Sequence, residues 1–203
     1  AKPKAVEFKP LPKPTQPEKI VYQGLIVEVV QQNMNEGNGK IKTYEFARRS
    51  PGIRLIIIGS DKRILLSKEY RSEIKSWDFR LPGGKIFDSL QKFNSFLATG
   101  QNILVPALTA AKKEAEEEAG IRTEDIKHFA TSTCGATMRW DLFYFVVAKF
   151  TALDEQSLGE GENIETNWFT FSQAREMCLS GQISEDRSAA VLLRYLHTQA
   201  VLK

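Results

Sequence analysis

The chain of 203 residues has little of what several protein classes require. Its only two cysteines, Cys134 and Cys178, follow no disulfide or metal-binding pattern, so we expect reduced thiols in a cytoplasmic protein. Its two histidines, His128 and His197, are far apart in the sequence and suggest no ligand set. No apolar run approaches about eighteen residues and no signal-peptide core is present, which predicts a soluble protein without a membrane partner.

The chain also has no large excess of charge of one sign. Twenty-eight basic and 25 acidic residues leave a net charge of +3, which is too small to predict a nucleic-acid partner. Part of that charge lies in residues 1–19, which contain five lysines and five of the eight prolines. We therefore interpret residues 1–19 as a flexible Pro/Lys-rich arm. The sequence also contains no GxxxxGK[ST] phosphate-binding loop and no internal repeat.

Apolar patterning beyond the arm predicts a fold of mixed class. A hairpin with a turn at residues 35–39 is followed by apolar strands, then a helix, then further strands and two C-terminal helices. The later strands are predicted near residues 128–133, 140–150 and 164–171, and the last helices over 172–179 and 188–202. This order is not a βαβ alternation, so we predict an α/β fold with a mixed sheet between helices. We divide the ordered part into a hairpin region, 20–52, and a main domain, 53–203.

The most informative stretch, residues 81–121, joins a glycine turn to a short acidic helix. Pro82-Gly83-Gly84 can bring bare backbone close to another group, because glycine has no Cβ. Pro106 suits the first position of the helix, and Gly120 suits the residue just past its end.

Three carboxylates share one face of this helix. Glu114, Glu117 and Glu118 are spaced i, i+3 and i+4. We expect neither Lys112 nor Lys113 to lie on that face, so the like charges would repel one another. A hard divalent cation with oxygen ligands would resolve this repulsion. The alternative is a Glu-rich helix face that is simply exposed to water.

These residues resemble the Nudix box, Gx5Ex7REUxEExGU, in which U is apolar. From Lys113 to Ile121 the match is nearly complete: Lys113 stands for the Arg, and the three glutamates, Gly120 and Ile121 match in order. The opening LPGGKI at residues 81–86 is similar to that of the family.

The middle of the box departs from the family pattern. Lys113 follows Gly84 by 29 positions (113 − 84) where the pattern has 14, so about fifteen residues are inserted at roughly 89–105. The position of the Glu in Gx5E is occupied by Leu90 when counted forward from Gly84, and by Val105 when counted backward from Lys113. This Glu is therefore absent with either alignment. The insert contains several apolar residues, so we expect it to pack near the site or at a subunit contact.

The flanking residues are similar to the branch that hydrolyses ADP-ribose and nucleoside diphosphate sugars. The hairpin ending at 44–52, the Glu69-Tyr70-Arg71 motif, Trp77 and the segment 161–165 carry this likeness. The resemblance implies an α/β/α sandwich with a mixed sheet and an N-terminal hairpin extension, and a homodimer. It also implies hydrolysis of a diphosphate linkage into two monophosphates, with Mg²⁺ or Mn²⁺ as cofactor.

The resemblance also implies roles for individual residues. The implied metal ligands are Glu114, Glu117, Glu118 and the carbonyl of Gly83. The implied catalytic carboxylates are Glu162 and Glu117, with Glu160 and Glu165 as alternatives to Glu162. The substrate-binding residues would be Arg71, Arg48, Arg49, Arg80 and Gly84.

A second interpretation is a degenerate Nudix domain that binds a nucleotide without turnover. The missing box Glu and the insert favour this interpretation as a binding module. The clustered carboxylates favour the enzyme, because such a cluster is costly without a cation.

Overall fold

The computed structural model describes residues 11–37, 39–72, 74–159 and 163–201. The strands are β1 (Lys13–Pro14), β2 (Lys19–Gln23), β3 (Glu28–Asn35), β4 (Ile41–Arg48), β5 (Gly52–Ile58), β6 (Arg63–Arg71), β7 (Ser76–Arg80), β8 (Ile121–Ser132), β9 (Met138–Arg139), β10 (Leu142–Ala152) and β11 (Ile164–Thr170). The helices are α1 (Leu90–Leu97), α2 (Leu104–Glu117), α3 (Phe171–Leu179) and α4 (Asp186–Val201). No helix in these ranges is long and apolar enough to cross a membrane.

The larger sheet has the strand order β11-β6-β5-β10-β8, and β7 pairs with β6. β5 and β10 run parallel, whereas the other pairs are antiparallel. The sheet is therefore mixed, as the order of elements predicted. Successive side chains of a strand point to opposite faces. Ile53, Leu55 and Ile57 accordingly pack on the α2 side, and Ile56 packs on the side of α3 and α4.

Both faces of the larger sheet are covered by helices, which confirms the α/β/α sandwich. The four isoleucine and leucine side chains just named are completely buried. Burying each one contributes about 1.5–3 kcal/mol before entropy is counted. β5 and β10 are thus central strands buried on both faces, which explains their nearly continuous apolar sequence.

A smaller sheet is built around the predicted hairpin. β3 pairs with β4, β1 and β2 lie on the other side of β3, and β9 pairs in parallel with β4. The turn between β3 and β4 falls where it was predicted, although Asn38 lies outside the described residues. Because β9 comes from the main domain, the hairpin region and the main domain share this sheet.

The N-terminal arm differs in part from our expectation. Residues 1–10 lie outside the described residues. Lys13–Pro14, however, pairs with Met34–Asn35 of β3. Glu18 forms ion pairs with Arg48 and Arg139. The prediction of a flexible arm extending to residue 19 was therefore wrong for its second half, because strand pairing and ion pairs fix that part to the smaller sheet.

The acidic helix begins earlier than predicted. α2 starts at Leu104, and the side chain of Asn102 accepts a hydrogen bond from the Leu104 N–H. Pro106 is therefore the third helical residue rather than the first. Proline is tolerated there because the N–H groups of the first turn have no partner within the helix. Gly120 has a φ of 61° and follows the helix end, as predicted.

The insert is an ordered helix with its own small aromatic cluster. Ser89 caps α1 by accepting a hydrogen bond from the Lys92 N–H. The Phe87 ring lies 5.6 Å from that of Phe93 and 5.1 Å from that of Phe96, measured between centroids. Phe93 and Phe96 of the insert are therefore packing residues, whereas Leu97 and Val105 are exposed.

Candidate active site

A cleft of about 830 Å³ opens between the glycine turn, α2, the insert and the strands β5 to β7. Charged side chains of both signs line it. The basic ones are Arg54, Arg71, Arg80, Lys85 and Lys113; the acidic ones are Glu69, Asp88, Glu114 and Glu118. Such a surface can hold a ligand that is itself strongly charged.

The glycine turn is attached to β5 by backbone hydrogen bonds. The N–H of Ile53 donates to the Gly84 carbonyl at 2.9 Å, and the N–H of Leu55 donates to the Pro82 carbonyl at 2.8 Å. Gly83 has a φ of 148°, and a Cβ there would lie 3.0 Å from the Cα of Arg54. Glycine is therefore required at position 83, because the turn approaches β5 too closely for a side chain.

Glu118 and Glu114 lie directly against this turn. The N–H of Gly83 donates to Oε2 of Glu118 at 2.8 Å. A Cβ on Gly84 would lie only 2.5 Å from Cδ of Glu114, so the carboxyl occupies the space that glycine leaves empty. The structure therefore brings together two of the three predicted helical carboxylates and both glycines.

The third carboxylate of the helix behaves differently. Oε2 of Glu117 lies 2.6 Å from Nζ of Lys113, and Glu117 is not among the residues that line the cleft. Our expectation that Lys113 lies off the acidic face was wrong, because Lys113 and Glu117 are separated by four residues and meet on adjacent turns. The Glu117 hydrogen bond is the main reason that the pKa of Lys113 is raised.

Arg71 and Arg80 lie in the cleft, where we predicted substrate-binding cations. Arg71 contacts both carboxylate oxygens of Glu69, at 3.1 and 3.2 Å. Nε of Arg80 donates to Oδ2 of Asp78 at 2.6 Å, and Asp78 is buried. These carboxylates orient the guanidinium groups toward the cleft.

Sequence reasoning missed Arg54, the charged residue in the middle of the apolar strand β5. It is nearly buried, and its Nη1 donates to the Ile53 carbonyl at 2.9 Å and to the Gly83 carbonyl at 3.3 Å. Its Nε donates to Glu185 at 3.1 Å. A buried charge requires partners, so a lone arginine within an apolar run was a signal of such a network.

Glu185, the last residue before α4, is the main partner of Arg54. Burial alone would raise the pKa of the Glu185 carboxyl, but the charge of Arg54 and hydrogen bonds from Ser188 and Arg54 outweigh it and lower the pKa. Glu185 is therefore held ionised. The pair connects the glycine turn to the far side of the larger sheet.

Arg48 and Arg49 lie outside the cleft of the same chain. Arg48 is buried and contacts Glu28 at 2.7 Å and Glu18 at 2.6 Å. The guanidinium of Arg49 lies 4.2 Å from the centre of the Trp140 ring, and burial lowers the pKa of Arg49. A role for these two residues in binding substrate at the cleft of a partner subunit stays a prediction.

The predicted catalytic base falls outside the described residues, because Glu160 and Glu162 are both in the undescribed range 160–162. The alternative, Glu165, is exposed, lies 3.5 Å from Nζ of Lys68 and does not line the cleft. Within the described ranges, no three His, Cys, Asp or Glu side chains are grouped as a ready-made metal site.

The family model of the NUDIX domain matches residues 48–190, which is more than half of the chain. The chain belongs to the Nudix family. The matched range contains the glycine turn, the insert and α2, so the interrupted box is part of a Nudix domain.

Three individual proteins are similar to this Nudix chain. A CMP-5'-(N-acetyl-N-hydroxy-3-aminopropyl)phosphonate hydrolase of Streptomyces rubellomurinus (strain ATCC 31215) is 27% identical over 180 residues, covering 88% of this chain and 80% of the relative. A GDP-mannose pyrophosphatase of Enterobacter sp. (strain 638) is 24% identical over 186 residues, covering 87% and 90%. The crystal structure of an ADP compounds hydrolase shares the fold, with a TM-score of 0.68, 15% identity and 97% coverage of both chains. The chain is thus a Nudix hydrolase, an enzyme of the pyrophosphohydrolase type.

Nudix hydrolases generally use divalent metal cations. The donors in this cleft fit such an ion, because Glu114 and Glu118 offer hard carboxylate oxygens one helical turn apart. Both carboxylates lie against Gly83 and Gly84, where side chains would fill the space between helix and turn. The Gly83 carbonyl, which accepts a hydrogen bond from Arg54 at 3.3 Å, is the nearby backbone oxygen.

Proposed function

We propose that this Nudix hydrolase splits the diphosphate linkage of ADP-ribose or a related nucleoside diphosphate sugar into two monophosphates, with Mg²⁺ or Mn²⁺ as cofactor. The observation that carries the proposal is the position of Glu114 and Glu118 against the glycine turn, in a cleft that also contains Arg71 and Arg80. Names of similar proteins support the substrate class, since one acts on GDP-mannose and another on ADP compounds.

The division of roles follows from charge and position. Arg71 and Arg80 carry permanent positive charge and offer N–H donors that match phosphate oxygens. Glu114 and Glu118 would hold the divalent cation with the Gly83 carbonyl, and Glu117 would join them on leaving Lys113. A bound divalent cation neutralises phosphate charge and lowers the pKa of water. Glu162 would accept the proton of the attacking water, with Glu160 or Glu165 as the alternative. Gly84 would serve substrate binding by leaving the space in which the Glu114 carboxyl lies.

The test is hydrolysis of ADP-ribose and GDP-mannose with Mg²⁺, measured as phosphate released after added phosphatase. We expect turnover by the wild type and a loss of at least about 100-fold in kcat for Glu118→Gln and Glu114→Gln, which remove a charge beside the reacting diphosphate. The matched control is Glu116→Gln on the same helix. Its side chain is 46% exposed, pairs with Arg122 and lies outside the cleft.

Three outcomes are informative. Turnover that depends on Glu114 and Glu118 but not on Glu116 supports the proposal. Equal activity in all variants would refute the assignment of the two carboxylates. Nucleotide binding without any turnover would instead favour the binding module. Mn²⁺ affinity, followed by its electron paramagnetic resonance signal, should fall in the same two variants.

The homodimer is a further part of the proposal. Exposed apolar side chains on the smaller sheet, such as Tyr22 and Ile41, support pairing of two copies through it. Analytical ultracentrifugation of the wild type and of Tyr22→Glu tests this: a monomeric wild type would refute it. We place the protein in the cytoplasm, where its two thiols would stay reduced.

A further inference from the structure

A second open cavity of about 1040 Å³ adjoins the cleft. It lies between α1, the loop that follows α1, the end of β4 and the chain before β2. Its apolar wall includes Phe93, Phe96, Ile103 and Phe143. Phe96 and Gln101 line both this cavity and the cleft, so the two spaces meet at the insert.

We propose that this cavity, hereafter the insert pocket, binds the nucleobase of the substrate and that the insert determines which substrates are accepted. This inference rests on the proposed function, because it assumes that a diphosphate occupies the cleft beside the pocket. Its specific content is that Phe96 stacks on the base and that Gln101 hydrogen-bonds to the edge of the base.

The wall formed by the insert is held rigidly in place. Nδ2 of Asn94, in the middle of α1, donates to Oε2 of Glu28 at 2.9 Å. Glu28 is completely buried and pairs with Arg48 at 2.7 Å. Two residues further along α1, Phe96 packs against Phe87, which follows the glycine turn. α1 is thus attached both to the smaller sheet and to the segment that forms the floor of the cleft.

The chemistry of the wall favours a nucleobase over a sugar. An aromatic ring such as that of Phe96 can cover the face of a base, and this stacking tolerates different bases. The amides of Gln101 and Asn102, both exposed at the pocket, can donate to and accept from the polar edge of a base. A sugar has hydroxyls in all directions and would leave many of them without partners on the phenylalanine surface.

The charges at the pocket also agree with a neutral ligand. Glu18 pairs with both Arg48 and Arg139, so the acidic and basic groups at this edge largely neutralise each other. The cleft on the other side of Phe96 contains five basic side chains, among them Arg71 and Arg80. A nucleotide would therefore place its phosphates in the cleft and its uncharged base in the insert pocket.

Calorimetric binding of nucleoside monophosphates tests the inference without requiring turnover. AMP, GMP, CMP and UMP are titrated into the full chain and compared with ribose 5-phosphate, which has no base. We expect at least one nucleotide to bind about ten-fold or more tightly than ribose 5-phosphate, the lower range of a stacking contribution. This advantage should disappear in Phe96→Leu and in Gln101→Ala. Ser95→Ala is the matched control, because Ser95 is exposed on α1 and lines neither space.

Gln101→Ala keeps the test valid if Phe96→Leu fails to fold, because Gln101 is exposed. Equal affinity for ribose 5-phosphate and all four nucleotides would overturn the inference. So would a base-dependent advantage that survives both substitutions, since the base would then bind elsewhere, for example on the sugar side of the cleft or on a second copy of the chain.

Steady-state kinetics with nucleotide sugars separates this inference from the proposed function. We expect Phe96→Leu and Gln101→Ala to raise KM about ten-fold with kcat within about two-fold, because a uniform binding contact is lost. Unchanged kinetics in both variants of an active enzyme would overturn the inference while the proposed function stands. Base-dependent binding that requires Phe96 and Gln101, in a protein without turnover, would leave the pocket assigned and refute the proposed hydrolysis instead.

Discussion

Replacing Gly84 by alanine tests the site with the smallest possible change. The Cβ would lie 2.5 Å from Cδ and 2.9 Å from Oε2 of Glu114, while ordinary van der Waals contact begins at 3.4 Å. The Glu114 carboxyl must therefore retreat by about 0.9 Å or more. Gly84 is not among the residues with positive φ, so alanine fits its backbone without strain.

The expected result is a loss of activity with little loss of stability. Misplacing a catalytic group by about 1 Å can cost about 100-fold in rate, or about 2.7 kcal/mol of transition-state stabilisation. Rotating the end of the Glu114 side chain costs at most about 1 kcal/mol, which shifts the melting temperature of a domain of this size by no more than about 4 °C. kcat/KM for ADP-ribose and calorimetric Tm measure the two effects.

Two further variants decide whether the steric reasoning holds. In a Glu114→Gln background, Gly84→Ala should cost far less than 100-fold, because both changes act on the same group. Gly83→Ala should instead reduce stability, since its Cβ would meet the backbone of β5 and its φ is 148°. We expect it to lower Tm by roughly 2–12 °C through about 1–3 kcal/mol of strain. Full activity of Gly84→Ala would refute the placement of Glu114.

Three other substitutions address the ion pairs. Glu185→Gln should cost about 1–3 kcal/mol at pH 7 by weakening the pairing of Arg54. Folding lowers the pKa of Glu185, so its ionised carboxylate stabilises the fold at any pH above its unfolded pKa, near 4.3. This stabilisation is lost as the pH falls through the folded pKa. In denaturant melts, the difference in unfolding free energy between wild type and Glu185→Gln should therefore shrink below about pH 4. Glu28→Gln disturbs the buried pair with Arg48 and should lower the free energy of unfolding by about 3 kcal/mol in the same denaturant melts. A decrease of less than about 0.5 kcal/mol would contradict a rigid attachment of α1. Lys113→Ala should change stability by less than about 0.5 kcal/mol, because its pair with Glu117 is exposed to water.

Local patterns predicted most of the fold. One of the apolar strands predicted after the hairpin proved to be β5, and the strand predicted near 140–150 proved to be β10. These two are the central parallel strands, because burial on both faces leaves a nearly continuous apolar sequence. The box helix ended where Gly120 indicated. Pairing between distant segments carries no such local signal. The sequence therefore did not show that residues 13–14 join β3 or that β9 extends the smaller sheet.

The site was predictable where spacing along one helix determines it. Glu114 and Glu118 lie one turn apart, and the glycines beside them were recognisable from the missing Cβ. The position of the Glu117 carboxylate was less predictable, because its ion pair with Lys113 competes with a position beside Glu114 and Glu118. The roles of Arg54 and Glu185 depend on a contact across 131 residues, which no local pattern contains.

The attachment of the glycine turn to β5 has a consequence for ligand binding. Two backbone hydrogen bonds hold the turn to this strand, Ile53 to Gly84 and Leu55 to Pro82, and a third joins Ile86 to Pro51, the residue just before the strand. The chain entropy of this turn is thus already lost when the protein folds, so occupation of the cleft requires little further ordering there. The amide protons of Ile53 and Leu55 should consequently exchange with deuterium only through global opening, and a bound nucleotide should slow their exchange only by the factor by which it stabilises the whole fold.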